Sequence, residues 1–216
     1  MKKVYKNKKE LILDVVKKHK KVLDVGFWGQ GVKSDSANWP HNILKQASDD
    51  VYGLDLDFSD SEVGDISRYF RGSAESFLLP VKFDLIFAAD LIEHLSNPGL
   101  FLESCFKNLS DDGLLILTTP NCYNLFNIIE KFSKYEPTVN PDHTCYFSLK
   151  TLKVLLKKNN FGIKNNAYVY TLNSNYKESW KKKIINMIYY LLGFVTDKFM
   201  ETIVVIVEKN KNYAAA

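Results

Sequence analysis

Cysteine is scarce in this 216-residue sequence, which contains only Cys105, Cys122 and Cys145. They are too few and too scattered for a disulfide framework or a Cys-x-x-Cys metal site, and they suit a reducing cytoplasm. Long apolar runs are lacking as well. The longest, residues 184–195, is broken by Asn186 and is too short to span a bilayer. Near the N-terminus, residues 11–16 are interrupted by Asp14 and followed by Lys17 and Lys18, which is no signal-peptide core. Pro/Gly/Ser-rich linkers, repeats and low-complexity segments are missing, so a single domain is expected over 1–210. The closing residues 211–216 read as a frayed tail. The net charge is small, +4. The densest basic runs (Lys2, Lys3, Lys6, Lys8, Lys9, then Lys181, Lys182, Lys183) read as solvated surface. No nucleic-acid partner is expected, and contact with an anionic membrane surface is the lesser reading.

What is present is an alternation of short apolar runs and amphipathic segments. Leu11, Ile12, Val15 and Val16 share one helical face within residues 8–19. Strands are expected at 21–26, 51–55, 69–71, 83–90 and 114–118, punctuated by Gly or by acids at their exits. Pro40 suits the first turn of a helix reaching Ala47, and Asn97-Pro98 opens another that Gly113 stops. Beyond these lie a helix over 125–132, a polar loop over 135–145 and a helix from Ser148 to Lys158. A strand over 163–171, an amphipathic helix over 180–193 and a last strand over 201–208 complete the reading. Such alternation argues for a parallel sheet covered on both faces, with a late strand forming an antiparallel edge.

The chemistry gathers at strand exits. Asp24-Val25-Gly26 leads into a loop bearing Gly26, Gly29 and Gly31, where the backbone can approach a ligand closely. Asp55 ends the second strand, and an ionised carboxylate there can accept hydrogen bonds from both ribose hydroxyls. Trp28, Trp39 and His41 surround the long loop and are expected to pack the first helix rather than cap a ligand.

The run from Phe83 through Asp90-Leu91-Ile92-Glu93-His94 to Thr118-Thr119-Pro120-Asn121 resembles the class I S-adenosylmethionine-dependent methyltransferases. The resemblance is to the branch whose fourth strand leads into Asp-x-x-Glu-His. His143-Thr144-Cys145-Tyr146-Phe147-Ser148 is similar to that branch's His-x-x-x-Phe-Ser lead into a helix, and the likeness spans about residues 20–170. It implies an α/β fold: one Rossmann-like three-layer sandwich with a mostly parallel seven-stranded sheet and an antiparallel edge strand. It also implies S-adenosylmethionine as cofactor. Asp24, Gly26, Phe27, Gly29 and Gly31 would hold its methionine half, and Asp55 with Leu56 its ribose. Ser73 and Ala74 would line the adenine, and Asp90 and Leu91 would lie beside the amino-acid end. The loop is one residue longer than the usual Gly-x-Gly-x-Gly, and Ser73 stands where the family has Asp.

The implied activity is methyl transfer to a small-molecule or glycan-like acceptor, at oxygen, with His143 and His94 as candidate bases. Asp90, Glu93, His94 and His143 show no compact ligand spacing, so no metal is expected. Two rival readings remain: a non-catalytic cofactor-binding or scaffold module on the same fold, and a nicotinamide-dependent oxidoreductase.

Overall fold

A computed structural model describes residues 3–16, 21–29, 36, 38–132, 135–137, 139–170, 187–188 and 197–210. Their strands form one eight-stranded sheet, in the order β1-β7-β8-β6-β5-β2-β3-β4. In chain order these are β1 Val4–Tyr5, β2 Lys21–Val25, β3 Asp50–Asp55, β4 Tyr69–Arg71, β5 Phe83–Ala89, β6 Leu109–Pro120, β7 Phe161–Val169 and β8 Thr202–Lys209. The helices are α1 Lys8–Val15, α2 Pro40–Ala47, α3 Asp60–Val63, α4 Pro98–Asn108, α5 Leu125–Lys131 and α6 Leu149–Lys158. Only β8 runs antiparallel to its neighbours β6 and β7. The sheet exceeds the expected seven strands because Val4–Tyr5 pairs in parallel with β7 at the edge.

Side-chain alternation along the strands builds the layers. Leu23 and Val25 of β2, Ile86 and Ala88 of β5, and Ile203, Val205 and Val207 of β8 point to one face. There they meet Phe101, Leu102 and Cys105 of α4 and Leu152 and Leu156 of α6. Val22, Leu85, Phe87, Val204 and Ile206 point to the other, against Leu11 and Ile12 of α1 and Ile43 and Leu44 of α2. The three-layer sandwich follows from strands that are apolar on both faces.

Local chemistry sets most boundaries. Ser148 and Thr151 form a reciprocal capping box at α6, and Pro40 occupies the first turn of α2. Asn160 takes φ 65° just past α6, the left-handed turn that stops helices. Phe161-Gly162 then opens β7. Asn97 precedes α4 without capping it, since its amide donates to Glu75 Oε2 at 2.9 Å. Gly113 does not stop α4, which ends at Asn108. It lies inside β6, where a Cβ would stand 2.9 Å from the Phe83 carbonyl oxygen. The expected helix over 180–193 falls outside the described residues except for helical 187–188, as do 17–20 and the tail 211–216.

A small aromatic cluster of Phe27, Trp39, Phe58, Val63 and Tyr69 closes the β3–β4 end. It requires Gly53: a Cβ there would meet Phe27 Cδ1 and Tyr69 Cδ1, each at 2.8 Å. Gly53→Ala is expected to destabilise the fold by about 1–3 kcal/mol through overpacking, and Phe27→Leu in the same chain is expected to recover part of it. Urea unfolding of the two variants checks this; an unchanged midpoint for Gly53→Ala removes the argument.

Candidate functional site

The carboxyl ends of β2, β3 and β5 meet where the chain switches direction across the sheet, the place where open α/β sheets bind ligands. Gly26 turns out of β2 with φ 73°, and its amide donates to the Leu54 carbonyl at 2.8 Å. Leu91 lies directly over it, so a Cβ on Gly26 would stand 2.8 Å from Leu91 Cδ1. Gly29 follows with φ 69°, and no atom of the described residues lies within 4 Å of a notional Cβ. Gly31 lies outside the described residues.

Asp55 ends β3. Its Oδ2 accepts from the Trp28 amide at 2.8 Å, and its Oδ1 accepts from the Leu56 amide at 2.7 Å. Burial raises its pKa, and these backbone donors oppose the rise. The same carboxylate thus pins the glycine loop and keeps lone pairs for a ligand. Leu56 beside it is exposed, Ser73 is exposed with its Oγ accepting from the Glu75 amide, and Ala74 is half-buried. Phe27 differs from its expected role. Its side chain is fully buried in the aromatic cluster, and its carbonyl accepts from Trp39 Nε1 at 2.8 Å. The extra loop residue is therefore absorbed into the core, and only the Phe27 backbone borders the loop. Trp39 and His41 are buried as packing residues.

Asp24 is buried at the end of β2. Its Oδ2 meets His41 Nδ1 at 3.0 Å, and Oδ1 has no hydrogen-bond partner among the described residues. Burial raises its pKa; His41 opposes this and the nearby Asp55 adds to it.

Beyond β5, Asp90 adopts φ 49° and is clamped by Thr118, whose Oγ1 donates to Oδ1 at 2.7 Å. Lys8 of α1 forms an ion pair with Asp90 Oδ2. Burial pushes the Asp90 carboxyl up, but Lys8 and Thr118 outweigh it and hold it below its ordinary range. Lys8 is thus part of the site rather than the solvated surface suggested by its basic run. Glu93 is buried, accepts from Thr119 Oγ1 at 2.8 Å through Oε2, and leaves Oε1 without a partner among the described residues. Burial, with Asp90 nearby, pushes it up to about 8.

The loop carrying His143 is stapled to this turn. Thr144 donates through its amide (2.8 Å) and Oγ1 (3.1 Å) to the Glu93 carbonyl, and through Oγ1 (2.7 Å) to that of Leu95. His143 consequently stands edge-on to His94, with ring centroids 4.6 Å apart. Burial and the neighbouring His94 lower the His143 pKa against the pull of Asp90 and Asp142. Glu93, His94 and His143 each present a ligand atom, all within 4.8 Å of one another, so this trio could hold a divalent cation. The fold supplies the compactness that the linear spacing lacks.

A cavity of about 510 Å³ opens from this cluster, with Lys8, Asp90, Glu93, His143, Tyr146 and Glu201 in its wall. Burial and Asp90 push Glu201 up to about 7. An apolar trough of about 550 Å³ adjoins it, sharing Cys122, Asn127, Val139 and Tyr146.

Residues 1–164 match a family model described as a methyltransferase domain. The chain belongs to that family. Its cofactor is S-adenosylmethionine. The domain is 30% identical over 114 residues to the ubiquinone biosynthesis O-methyltransferase of Psychrobacter cryohalolentis, covering 47% of this chain and 41% of that enzyme. The chain thus spans less than half the length of such a relative. Among solved structures, it resembles a SAM-dependent methyltransferase of Archaeoglobus fulgidus (TM-score 0.60, 16% identity, 93% and 94% of the two chains). It also resembles the small RNA methyltransferase HEN1 (TM-score 0.61, 16% identity, 94% and 25%). These structural likenesses speak to the fold.

The residues fit the cofactor on two observations: the half-buried Asp55 carboxylate at the β3 exit and the buried Oδ1 of Asp24, which has no partner among the described residues. Sequence reading missed Lys8, Thr118, Thr119 and Glu201 as site residues. Thr118 and Thr119 could have been found from the Thr-x-Pro-Asn run, whereas Lys8 and Glu201 carry no local signal. Asp55→Ala is expected to raise the Kd for S-adenosylhomocysteine about 10–100-fold, the loss of hydrogen bonds to a charged group. Calorimetric titration reads this; an unaltered Kd takes Asp55 out of the site.

Proposed function

We propose that this protein transfers a methyl group from S-adenosylmethionine to a hydroxyl of a small, ring-bearing acceptor. The observation that carries the reading is the Asp90-Leu91 turn, where Leu91 packs over Gly26 of the glycine loop while Asp90 lines the cavity with Glu93 and His143. The bound cofactor supplies an already activated methyl group on its sulfonium. Gly26, Gly29, Asp55 and Asp90 hold it, with Leu56, Ser73, Ala74 and Leu91 bordering it. Gly31, outside the described residues, belongs to the same loop. What remains for the chain is to position the acceptor in line, exclude water and take a proton. Phe126 and Tyr146 give the cavity ring surface. The adjoining trough suits an apolar portion of the same molecule. The curated relatives, named for O-methylation in ubiquinone biosynthesis, support oxygen as the acceptor atom. Among the described residues no helix is long and apolar enough to cross a membrane.

His143 is the proposed base, because its lowered pKa keeps the imidazole neutral and able to accept a proton. His94 orients it edge-on. A second reading of the same cluster is favoured by Glu93 Oε1, a buried carboxylate oxygen without a partner among the described residues beside two imidazoles. A divalent cation held by Glu93, His94 and His143 would polarise the acceptor hydroxyl.

A panel of phenols, catechols and sugars incubated with labelled S-adenosylmethionine is expected to yield O-methylated product from a ring hydroxyl. Transfer to amines alone would sink the oxygen assignment. His143→Ala is expected to lower kcat about 100-fold or more with the Kd for S-adenosylhomocysteine unchanged. Dialysis against a chelator separates the two readings. Full activity afterwards leaves His143 as the base, whereas loss restored by Mn²⁺ or Zn²⁺ assigns the trio to a metal.

A further inference from the structure

The Asp24–His41–Tyr69 chain of hydrogen bonds packs against Phe27 of the glycine loop, and His41 and Tyr69 take no part in the chemistry described so far. Asp24 and His41 are each 1% exposed. Asp24 Oδ2 meets His41 Nδ1 at 3.0 Å, and His41 Nε2 meets the Tyr69 hydroxyl at 3.0 Å. With Nδ1–H donating to Asp24, Nε2 accepts from the tyrosine O–H. The imidazole ring is wedged by Phe27 (centroids 4.8 Å), Trp39 (5.1 Å) and Tyr69 (5.5 Å). Its position is therefore fixed by packing, and so is the carboxylate it holds.

The arrangement satisfies only half of Asp24. Oδ1 is buried without a partner among the described residues, two residues before the Gly26 turn and close enough to Asp55 for the charges to interact. A buried, half-satisfied carboxylate is costly, and a second acid nearby makes it costlier. A cationic donor relieves both costs. The S-adenosyl cofactor carries one in the α-ammonium group of its amino-acid end.

We infer that His41 and Tyr69 are positioning residues that orient Asp24 so that its free oxygen receives the cofactor's α-ammonium group. The inference rests on the cofactor reading and adds residues that lie in α2 and β4, outside the glycine loop. His41 acts through Asp24 and touches no ligand atom.

The test compares two ligands by calorimetric titration of the full chain. S-adenosylhomocysteine carries the amino-acid end; 5′-methylthioadenosine keeps the adenosine and thioether but lacks the ammonium group. His41→Leu is expected to raise the Kd for S-adenosylhomocysteine about 10–100-fold, the scale of a hydrogen bond to a charged group, and to change that for methylthioadenosine less than about 3-fold. His41→Asn, which keeps a donor towards Asp24, is expected to recover most of the loss. Tyr69→Phe keeps the ring in the cluster and decides the matter if His41→Leu fails to fold; it is expected to weaken S-adenosylhomocysteine selectively by a few-fold. Equal weakening of both ligands in the folded variants shows mere structural support and overturns the inference, as do unchanged affinities. A wild-type chain that binds methylthioadenosine and S-adenosylhomocysteine equally well overturns the inference and leaves the cofactor reading standing. A wild-type chain that binds neither overturns both.

Discussion

A carboxylate withdrawn from water must find donors or cations, and this protein withdraws several at one end of its sheet. Asp24, Asp55, Asp90, Glu93 and Glu201 crowd the carboxyl ends of the strands, and much of the surrounding structure supplies their partners. α1 supplies Lys8, α2 supplies His41, β6 supplies Thr118 and Thr119, and the glycine loop supplies the Trp28 amide. Two oxygens, one on Asp24 and one on Glu93, are left without partners among the described residues. The site is thus a cluster of withdrawn acids held in place by structure, one of them paired with Lys8.

The lengthened glycine loop illustrates how such a site tolerates an insertion. Phe27 leaves the loop for the core, and Gly53 gives it room by having no side chain. The loop backbone remains tied to Asp55 through Trp28 and to β3 through the Gly26 amide. The irregularity that made a non-catalytic scaffold conceivable is therefore paired with intact geometry at the β2 and β3 exits. Packing of the aromatic cluster then links loop shape to the buried relay, because Phe27, His41 and Tyr69 share ring contacts.

Much of the architecture was legible because short apolar runs and capped helices announce themselves locally. Residues 83–90 and 201–208 read directly as strands, and Ser148 as a helix start. The glycine loop and Asp55 were legible as a candidate half-site because they sit at strand exits. Errors arose where the decisive partner is remote. Asn97 looked like a cap but is occupied by Glu75. Gly113 looked like a helix stop but serves a close approach to Phe83. Val4–Tyr5 is too short to announce a strand and owes its place to pairing with β7.

The sequence by itself determined the layered α/β fold, the cofactor class and the exits that carry Gly26, Asp55 and Asp90, since each is encoded in a contiguous run. Only the tertiary structure decided which charges are paired and which are vacant. Lys8 reaches Asp90 across 82 residues, and Thr144 brings His143 beside His94 by bonding to the carbonyls of the β5 turn. Hydrogen bonds and ion pairs are short-ranged in space yet indifferent to separation along the chain. Their outcome is settled when the sheet closes, and no local pattern records it.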